Sequence, residues 1–169
     1  MTMGCGYRLR STAEPIGISI ASLSIPLIQS TSSSLGFEAE FTRVIREEFI
    51  SHSKIPLVPR DEAAKVLIGT VVDIKEEPLS YAVEKGASEG TTYSVTSARK
   101  LRIKLHVKLV DRETGKIIWE DKCMEEQANF TVVTDPPDSL KTRYNQRKAV
   151  LIIAQNLANR IYLKTMDRF

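Results

Sequence analysis

A ten-residue stretch near the middle of the chain alternates strictly between polar and aliphatic side chains. Its aliphatic positions are Leu101, Ile103, Leu105, Val107 and Leu109, and its polar positions are Lys100, Arg102, Lys104, His106 and Lys108. Successive side chains of a β-strand point to opposite faces of the sheet. The alternation therefore predicts a strand, placed at Tyr93 to Val110, with one buried and one exposed face.

Three other stretches are predicted to be strands. The alternating isoleucines Ile16, Ile18 and Ile20 indicate a first strand, which ends at Pro26 and the serine tract that follows. The second runs from Ala63 to Ile74 and is limited by Pro78, and the third runs from Ile117 to Val133. Glycine or proline bounds each of these runs, as is typical of strand ends.

Two connections complete the β region. Asp111 to Lys116 is predicted to be the turn of a hairpin, with Gly115 in the left-handed conformation that glycine adopts readily. The stretch from Glu84 to Thr92 contains two glycines and mixed polar residues, and we interpret it as a loop.

Two amphipathic helices are predicted. The first begins at Leu35, is capped by a serine of the tract Ser30 to Ser34, and ends before Pro56. The second is capped by Ser139 and extends towards the C-terminus. Its predicted core positions are Val150, Leu151, Ala154, Leu157, Ala158, Ile161 and Tyr162. The order of elements predicts an α+β fold, with two helices packed on one face of a four-stranded mixed, mostly antiparallel sheet.

The sequence lacks the usual signatures of enzymes. It has only two cysteines and two histidines, and it contains no glycine-rich phosphate loop or nucleophile elbow. We therefore predict no catalytic site, cofactor or metal. Cys123 shares the parity of Trp119 and is predicted to be a small core residue, whereas His106 is predicted to lie at the surface. The acidic pairs Glu76–Glu77 and Glu125–Glu126 are interpreted as solvated surface.

Basic residues are concentrated in two parts of the chain. Residues 99–108 contain five Lys or Arg and no acidic residue, and residues 139–169 contain seven Lys or Arg and one acidic residue. Two interpretations remain open: these segments bind an anionic partner, or acidic residues neutralise them within the fold. A three-residue turn after the central strand would place Glu120 opposite Lys108 and Glu126 opposite Arg102. Lys104 would then face Met124 and stay unpaired.

The loop at 84–92 and the segment at 131–141 are predicted to emerge at the same end of the sheet, because each strand of a meander reverses direction. This end would carry Lys85, Lys141 and Arg143. They are either contacts for an anionic ligand or ordinary solvated cations.

Cys5 follows the small residue Gly4, and a bacterial lipoprotein is cleaved just before such a cysteine, which then carries acyl chains. Residues 1–15 are accordingly predicted to be a lipid-anchored tether, and residues 16–169 a single domain. Residues 1–4 would be the end of a signal segment. The alternative is that Cys5 is an ordinary thiol near the terminus.

Several stretches resemble one known family, the lipopolysaccharide-assembly lipoproteins called LptE. They include residues 5–9 with the sequence CGYRL, the run from Leu35 to Phe49, residues 67–71 and 78–81, and the turn at 111–115 followed by Trp119-Glu120. The resemblance covers nearly the whole chain in order. The loops at 84–92 and 131–141 match only weakly.

The resemblance implies a lipid-anchored protein at the periplasmic side of the outer membrane. Such a protein would bind and plug an LptD-type β-barrel and assist the insertion of lipopolysaccharide. The contact candidates for lipopolysaccharide or the barrel are Lys85, Lys100, Arg102, Lys104, Lys108, Lys141 and Arg143. The alternatives are an outer-membrane lipoprotein of another transport or assembly system and an anion- or nucleic-acid-binding domain. The basic strand has no interleaved aromatic residues that would stack on bases, so we expect no nucleic acid.

Overall fold

The computed structural model describes residues 20–31, 36–85, 92–134 and 136–167. Within these ranges it contains five strands and two helices. In chain order they are β1 (Leu23–Ser24), β2 (Gln29–Ser30), α1 (Glu38–His52), β3 (Lys65–Lys85), β4 (Thr92–Asp111), β5 (Ile117–Thr131) and α2 (Ser139–Met166). The predicted α+β architecture with two helices is confirmed.

The sheet is mixed but mostly antiparallel, as predicted. β3, β4 and β5 form an antiparallel meander, while β1 and β2 both pair with β3 in parallel. The single first strand predicted around Ile20 is replaced by two short strands on either side of Pro26, because proline lacks the N–H that a continuous ladder needs. Ile16 and Ile18 lie outside the described residues.

β4 is the centre of the core. Its five aliphatic residues, Leu101 to Leu109, are at most 1% exposed, and the intervening polar residues are partly exposed on the opposite face. Both helices contribute to the same core cluster as these aliphatic residues. The helices therefore cover one face of the sheet, as predicted, and leave the other face, here called the open face, without a helix in the described part of the chain.

β3 is longer than the sequence predicted. It passes through Pro78 and pairs with β4 as far as Lys85. The register shifts between the pairs of Pro78 and Ser80, so the proline lies where the regular ladder is already interrupted. The predicted loop at 84–92 is consequently too long, because Glu84, Lys85 and Thr92 belong to the strands. Residues 86–91 lie outside the described part.

α1 begins later than predicted and ends as predicted. Its N-cap is Phe37, which makes no side-chain capping bond, so the prediction of a serine cap is wrong. Gly36, in the left-handed region at φ 62°, turns the chain just before the helix and separates it from the serine tract. The helix ends at His52, before Pro56, and the Ser53 N–H donates to the Phe49 carbonyl.

α2 is capped by Asp138, not by Ser139 as predicted. The Asp138 carboxylate accepts a hydrogen bond from the Lys141 backbone N–H at 2.9 Å. Six of the seven predicted core residues are buried, and Leu151 is partly buried. Ala149, Ile153 and Thr165 are buried as well. α2 packs against both β5 and α1, so a larger part of its surface is covered than the single apolar stripe of a helix with one buried face.

The connection between β4 and β5 forms as predicted. Gly115 has φ 67°, and the Asp111 carboxylate accepts hydrogen bonds from the backbone and hydroxyl of Thr114. Lys65, at the start of β3, forms an ion pair with Asp111. This ion pair and the two hydrogen bonds hold the pKa of Asp111 far below its ordinary value.

The low pKa of Asp111 predicts a loss of stability in acid. An unfolded Asp binds its proton near pH 4, whereas the folded protein holds this carboxylate ionised to much lower pH. The stabilisation is therefore complete well above pH 4 and decreases as the pH falls below it. We expect Asp111→Asn to reduce the unfolding free energy at pH 7. We also expect it to flatten the decline of this free energy from about pH 5 to about pH 2. Urea titrations at several pH values measure both effects. A variant whose unfolding free energy depends on pH as steeply as that of the parent would contradict the prediction.

Candidate functional site

The polar side chains of β4 form a row along the open face of the sheet. This basic row consists of Lys100, Arg102, Lys104, His106 and Lys108, all of which are partly exposed. On one side it faces β3, where Glu77 is the register partner of Lys100, and on the other side it faces β5. Side chains two positions apart on a strand are only ~7 Å apart, so the repulsion within the row needs compensation.

The middle of the basic row is neutralised by carboxylates of both neighbouring strands. Arg102 lies between Glu125, at 3.3 Å from Nε to Oε1, and Glu77, at 3.9 Å from Nη2 to Oε2. Lys104 Nζ is 3.5 Å from the other oxygen of Glu125. The prediction that Lys104 is unpaired is therefore wrong.

A β-bulge in β5 explains this difference. Leu105 pairs with Met124 and Val107 with Asp121, so β5 advances by three residues while β4 advances by two. The predicted pairing of Glu120 with Lys108 is correct, but beyond the bulge Arg102 faces Gln127 instead of Glu126. The bulge also leaves Cys123 exposed, which contradicts its predicted place in the core.

The acidic pairs take part in this arrangement, although the sequence analysis interpreted them as solvated surface. Adjacent residues of a strand point to opposite faces, so each acidic pair places one carboxylate on each face of the sheet. Glu77 and Glu125 face the basic row, whereas Glu76 contacts Gln146 of α2 and Glu126 lies 3.6 Å from Arg160 of α2. The alternation of strand residues was the signal that could have identified them.

His106 also has an acidic partner. Its Nε2 lies 2.7 Å from Oε1 of Glu120, and this hydrogen bond holds the pKa of Glu120 below its ordinary value. Lys100 and Lys108 are different, because neither has a carboxylate oxygen within 4.0 Å among the described residues. Of the four predicted contact cations in the row, these two therefore form no direct ion pair in the described part of the chain, although Glu77 and Glu120 lie opposite them in the sheet.

Three of the six basic residues of α2 are also paired. Lys164 contacts Asp121 at 2.6 Å, and this hydrogen bond lowers the pKa of Asp121. Arg160 contacts Glu126, and Arg147 lies 3.5 Å from Glu40 of α1. Neutralisation within the fold therefore accounts for much of the charge of this segment.

Lys141 and Arg143 have no such partner in the described part of the chain. Both are exposed in the first turns of α2, which contain no acidic residue beyond the N-cap Asp138, and the N-terminal end of a helix favours negative charge. Arg143 lines a surface groove of about 390 Å³ together with Gly36, Phe37, Ala39, Glu40, Gln146 and Arg147. This part of α2 is therefore able to attract anions.

The predicted position of the two connecting segments is confirmed by the strand pairing. β5 ends at Thr131 opposite Ala98, and α2 starts at the same end of the sheet, here called the distal end. β3 and β4 continue beyond this point to the pair Lys85–Thr92. Six further residues of strand are ~20 Å long, so Lys85 lies well beyond Lys141 and Arg143 rather than beside them.

No group of three or more His, Cys, Asp or Glu side chains is arranged to hold a metal ion in the described part of the chain. Neither of the described helices combines the length and apolarity that a membrane span requires. Cys5 lies outside the described residues.

Comparisons with known structures support the fold. Rare lipoprotein B from Shewanella oneidensis is 18% identical, with a TM-score of 0.53 over 86% of this chain and 94% of that one. A minor lipoprotein from Acinetobacter baumannii is 10% identical, with a TM-score of 0.53 over 89% and 93% of the chains. Lipoprotein B from Nitrosomonas europaea is 15% identical, with a TM-score of 0.50 over 92% and 87%. At these identities the similarity establishes the architecture alone.

Sequence comparison establishes the family. A comparison with curated protein sequences gives no match. The model of the family described as LptE, lipopolysaccharide-assembly, matches residues 20–165, which is most of the chain. This range contains α1, the β3–β4–β5 meander and all of α2 except its last residue. The family resemblance is thereby confirmed, and the chain belongs to the LptE family of lipopolysaccharide-assembly lipoproteins.

Proposed function

We propose that the protein is a non-enzymatic outer-membrane lipoprotein that binds an LptD-type β-barrel and assists the insertion of lipopolysaccharide. The family match over residues 20–165 carries this proposal. Cys5 would hold the lipid on the periplasmic side of the membrane, and the domain would occupy the barrel as a plug.

The distribution of charge supports a direct contact with lipopolysaccharide. This ligand is anionic because its lipid A carries phosphate groups, and an anion is attracted to cations that carboxylates do not already neutralise. In the described structure, cations that form no direct ion pair lie on the basic row, at Lys100 and Lys108, and at the start of α2, at Lys141 and Arg143. Arg102 and Lys104 share Glu125 and are weaker candidates. Lys85 remains a candidate at the distal end.

Photo-crosslinking in the native membrane tests this proposal. We expect probes at positions 85, 100 and 141 to capture lipopolysaccharide or the barrel, and a probe at position 114, in the turn at the opposite end, to serve as the matched control. Purification of the lipidated full-length protein in mild detergent should recover the barrel, identified by mass spectrometry. Crosslinks found only at position 114 would mean that the opposite end of the sheet contacts lipopolysaccharide or the barrel. Recovery of a different transport complex would favour a role in another assembly system.

A further inference from the structure

Glu125 contacts its two basic partners on the open face without hydrogen bonds. Its carboxylate oxygens lie 3.3 Å from Nε of Arg102 and 3.5 Å from Nζ of Lys104, and all three side chains are partly exposed. The next acidic partner of the row is different, because Glu120 and His106 are joined by a hydrogen bond of 2.7 Å. Surface ion pairs of the looser kind contribute little to stability. Another anion therefore displaces Glu125 at little cost to the fold.

Arg102 has an unused hydrogen-bond donor at this point. Its Nε atom is buried and has no hydrogen-bond partner in the described part of the chain. The carboxylate on its other side, Glu77, is 3.9 Å from Nη2, which is beyond hydrogen-bonding distance. A buried donor without an acceptor costs free energy, and an acceptor placed between Arg102 and Lys104 in a better geometry would remove that cost. Glu125 does not provide this geometry.

Two amide side chains extend the same surface. Gln127 and Asn129 follow Glu125 at alternate positions of β5, so all three side chains are on the open face. Both amides are exposed, and they are the register partners of Arg102 and Lys100. An amide group donates hydrogen bonds without adding negative charge. Around Glu125 the open face therefore presents three cations of the basic row and two neutral donors, a combination that suits the oxygens of a phosphate group.

We propose that Glu125 is an internal competitor for a phosphate-binding site on the open face. In the free protein its carboxylate lies between Arg102 and Lys104, and a ligand phosphate displaces it and accepts hydrogen bonds from both cations. The β5 bulge creates this competition, because without the extra residue Lys104 would face Met124. Competition lowers the affinity of the site, which suits a protein that passes its ligand on. That the phosphate belongs to lipid A rests on the proposed function.

Glu125→Gln and Glu126→Gln are the matched pair of variants that tests the proposal. Each removes one negative charge, but Glu126 is on the helix-covered face, 3.6 Å from Arg160. Inorganic phosphate is titrated into the full-length chain, and the NMR signal of the Arg102 Nε–H is followed. We expect Glu125→Gln to bind phosphate about five-fold more tightly than the parent, because it removes a like charge about 5 Å from the ligand. We expect less than about a two-fold change for Glu126→Gln.

A double-mutant cycle tests whether the two cations carry the effect. In an Arg102→Gln/Lys104→Gln background, we expect Glu125→Gln to change the affinity less than about two-fold, because nothing is left to compete for. Vesicles of phosphatidylcholine with lipid A, or with dephosphorylated lipid A, identify the source of the phosphate. Tighter binding of Glu125→Gln to the phosphorylated vesicles alone is the result expected for lipid A. A gain that is confined to inorganic phosphate would identify free phosphate as the ligand of the same site.

Four results would overturn the proposal. These are equal affinities of Glu125→Gln and the parent, an equal gain in Glu126→Gln, a gain that persists without the two cations, and an Arg102 signal that phosphate does not move in any variant. None of them would contradict the proposed function, which the family match supports independently. Conversely, a gain with inorganic phosphate but none with lipid A would contradict a lipopolysaccharide contact at this site and leave the competition by Glu125 intact.

Discussion

Replacing Cys5 by Ala in the full-length precursor is expected to release the protein from membranes that lack the proposed barrel partner, while leaving the fold intact. Each buried CH₂ of an acyl chain contributes ~0.8 kcal/mol to membrane binding, so several chains on one residue give an anchor that is effectively permanent. Membrane fractionation at high salt measures the release, because salt screens nonspecific electrostatic binding of basic residues to lipid phosphates.

Cys123→Ala is the control for this experiment. Cys123 is exposed on the bulge of β5 and is the other cysteine of the chain, so it would show whether loss of any thiol has the same effect. We expect acyl labelling to disappear in the Cys5 variant and to persist in the control. Labelling that survives in Cys5→Ala would contradict the proposed anchor, as would a variant that stays at high salt in membranes without the barrel.

The largest loss of stability is expected for Phe49→Ala. Phe49 is fully buried in α1, where its ring contacts the ring of Tyr162 of α2 edge-on, with centroids 5.4 Å apart. Tyr162 in turn donates a hydrogen bond to the His52 carbonyl at 2.6 Å, which joins the end of α1 to α2. Removal of the Phe49 ring leaves a cavity between the two helices, at a cost of about 3–5 kcal/mol.

Ile50→Ala, at the next position of the same helix, is the matched control. Its side chain is 65% exposed, so we expect less than about 1 kcal/mol from this substitution. Chemical denaturation followed by circular dichroism gives both values. Similar losses for the two variants would mean that Phe49 does not occupy the core position described for it.

The local pattern of the sequence determined the central part of the fold. The alternation in β4 predicted both its buried face and its polar face, because strand geometry allows only two directions for a side chain. The turn with Gly115 was equally predictable, since its left-handed conformation strongly favours glycine. The helical spacing between Phe41 and Phe49 predicted α1, and all five buried residues of this helix lie in that run.

Tertiary structure alone decided which basic residues form direct ion pairs. One extra residue in β5 shifts Glu125 opposite Lys104 and exposes Cys123, and no pattern in the sequence marks the position of that bulge. Packing of α2 against α1 and β5 likewise set which basic residues of α2 find carboxylates. Such features depend on contacts between distant segments, and local periodicity carries no information about those contacts.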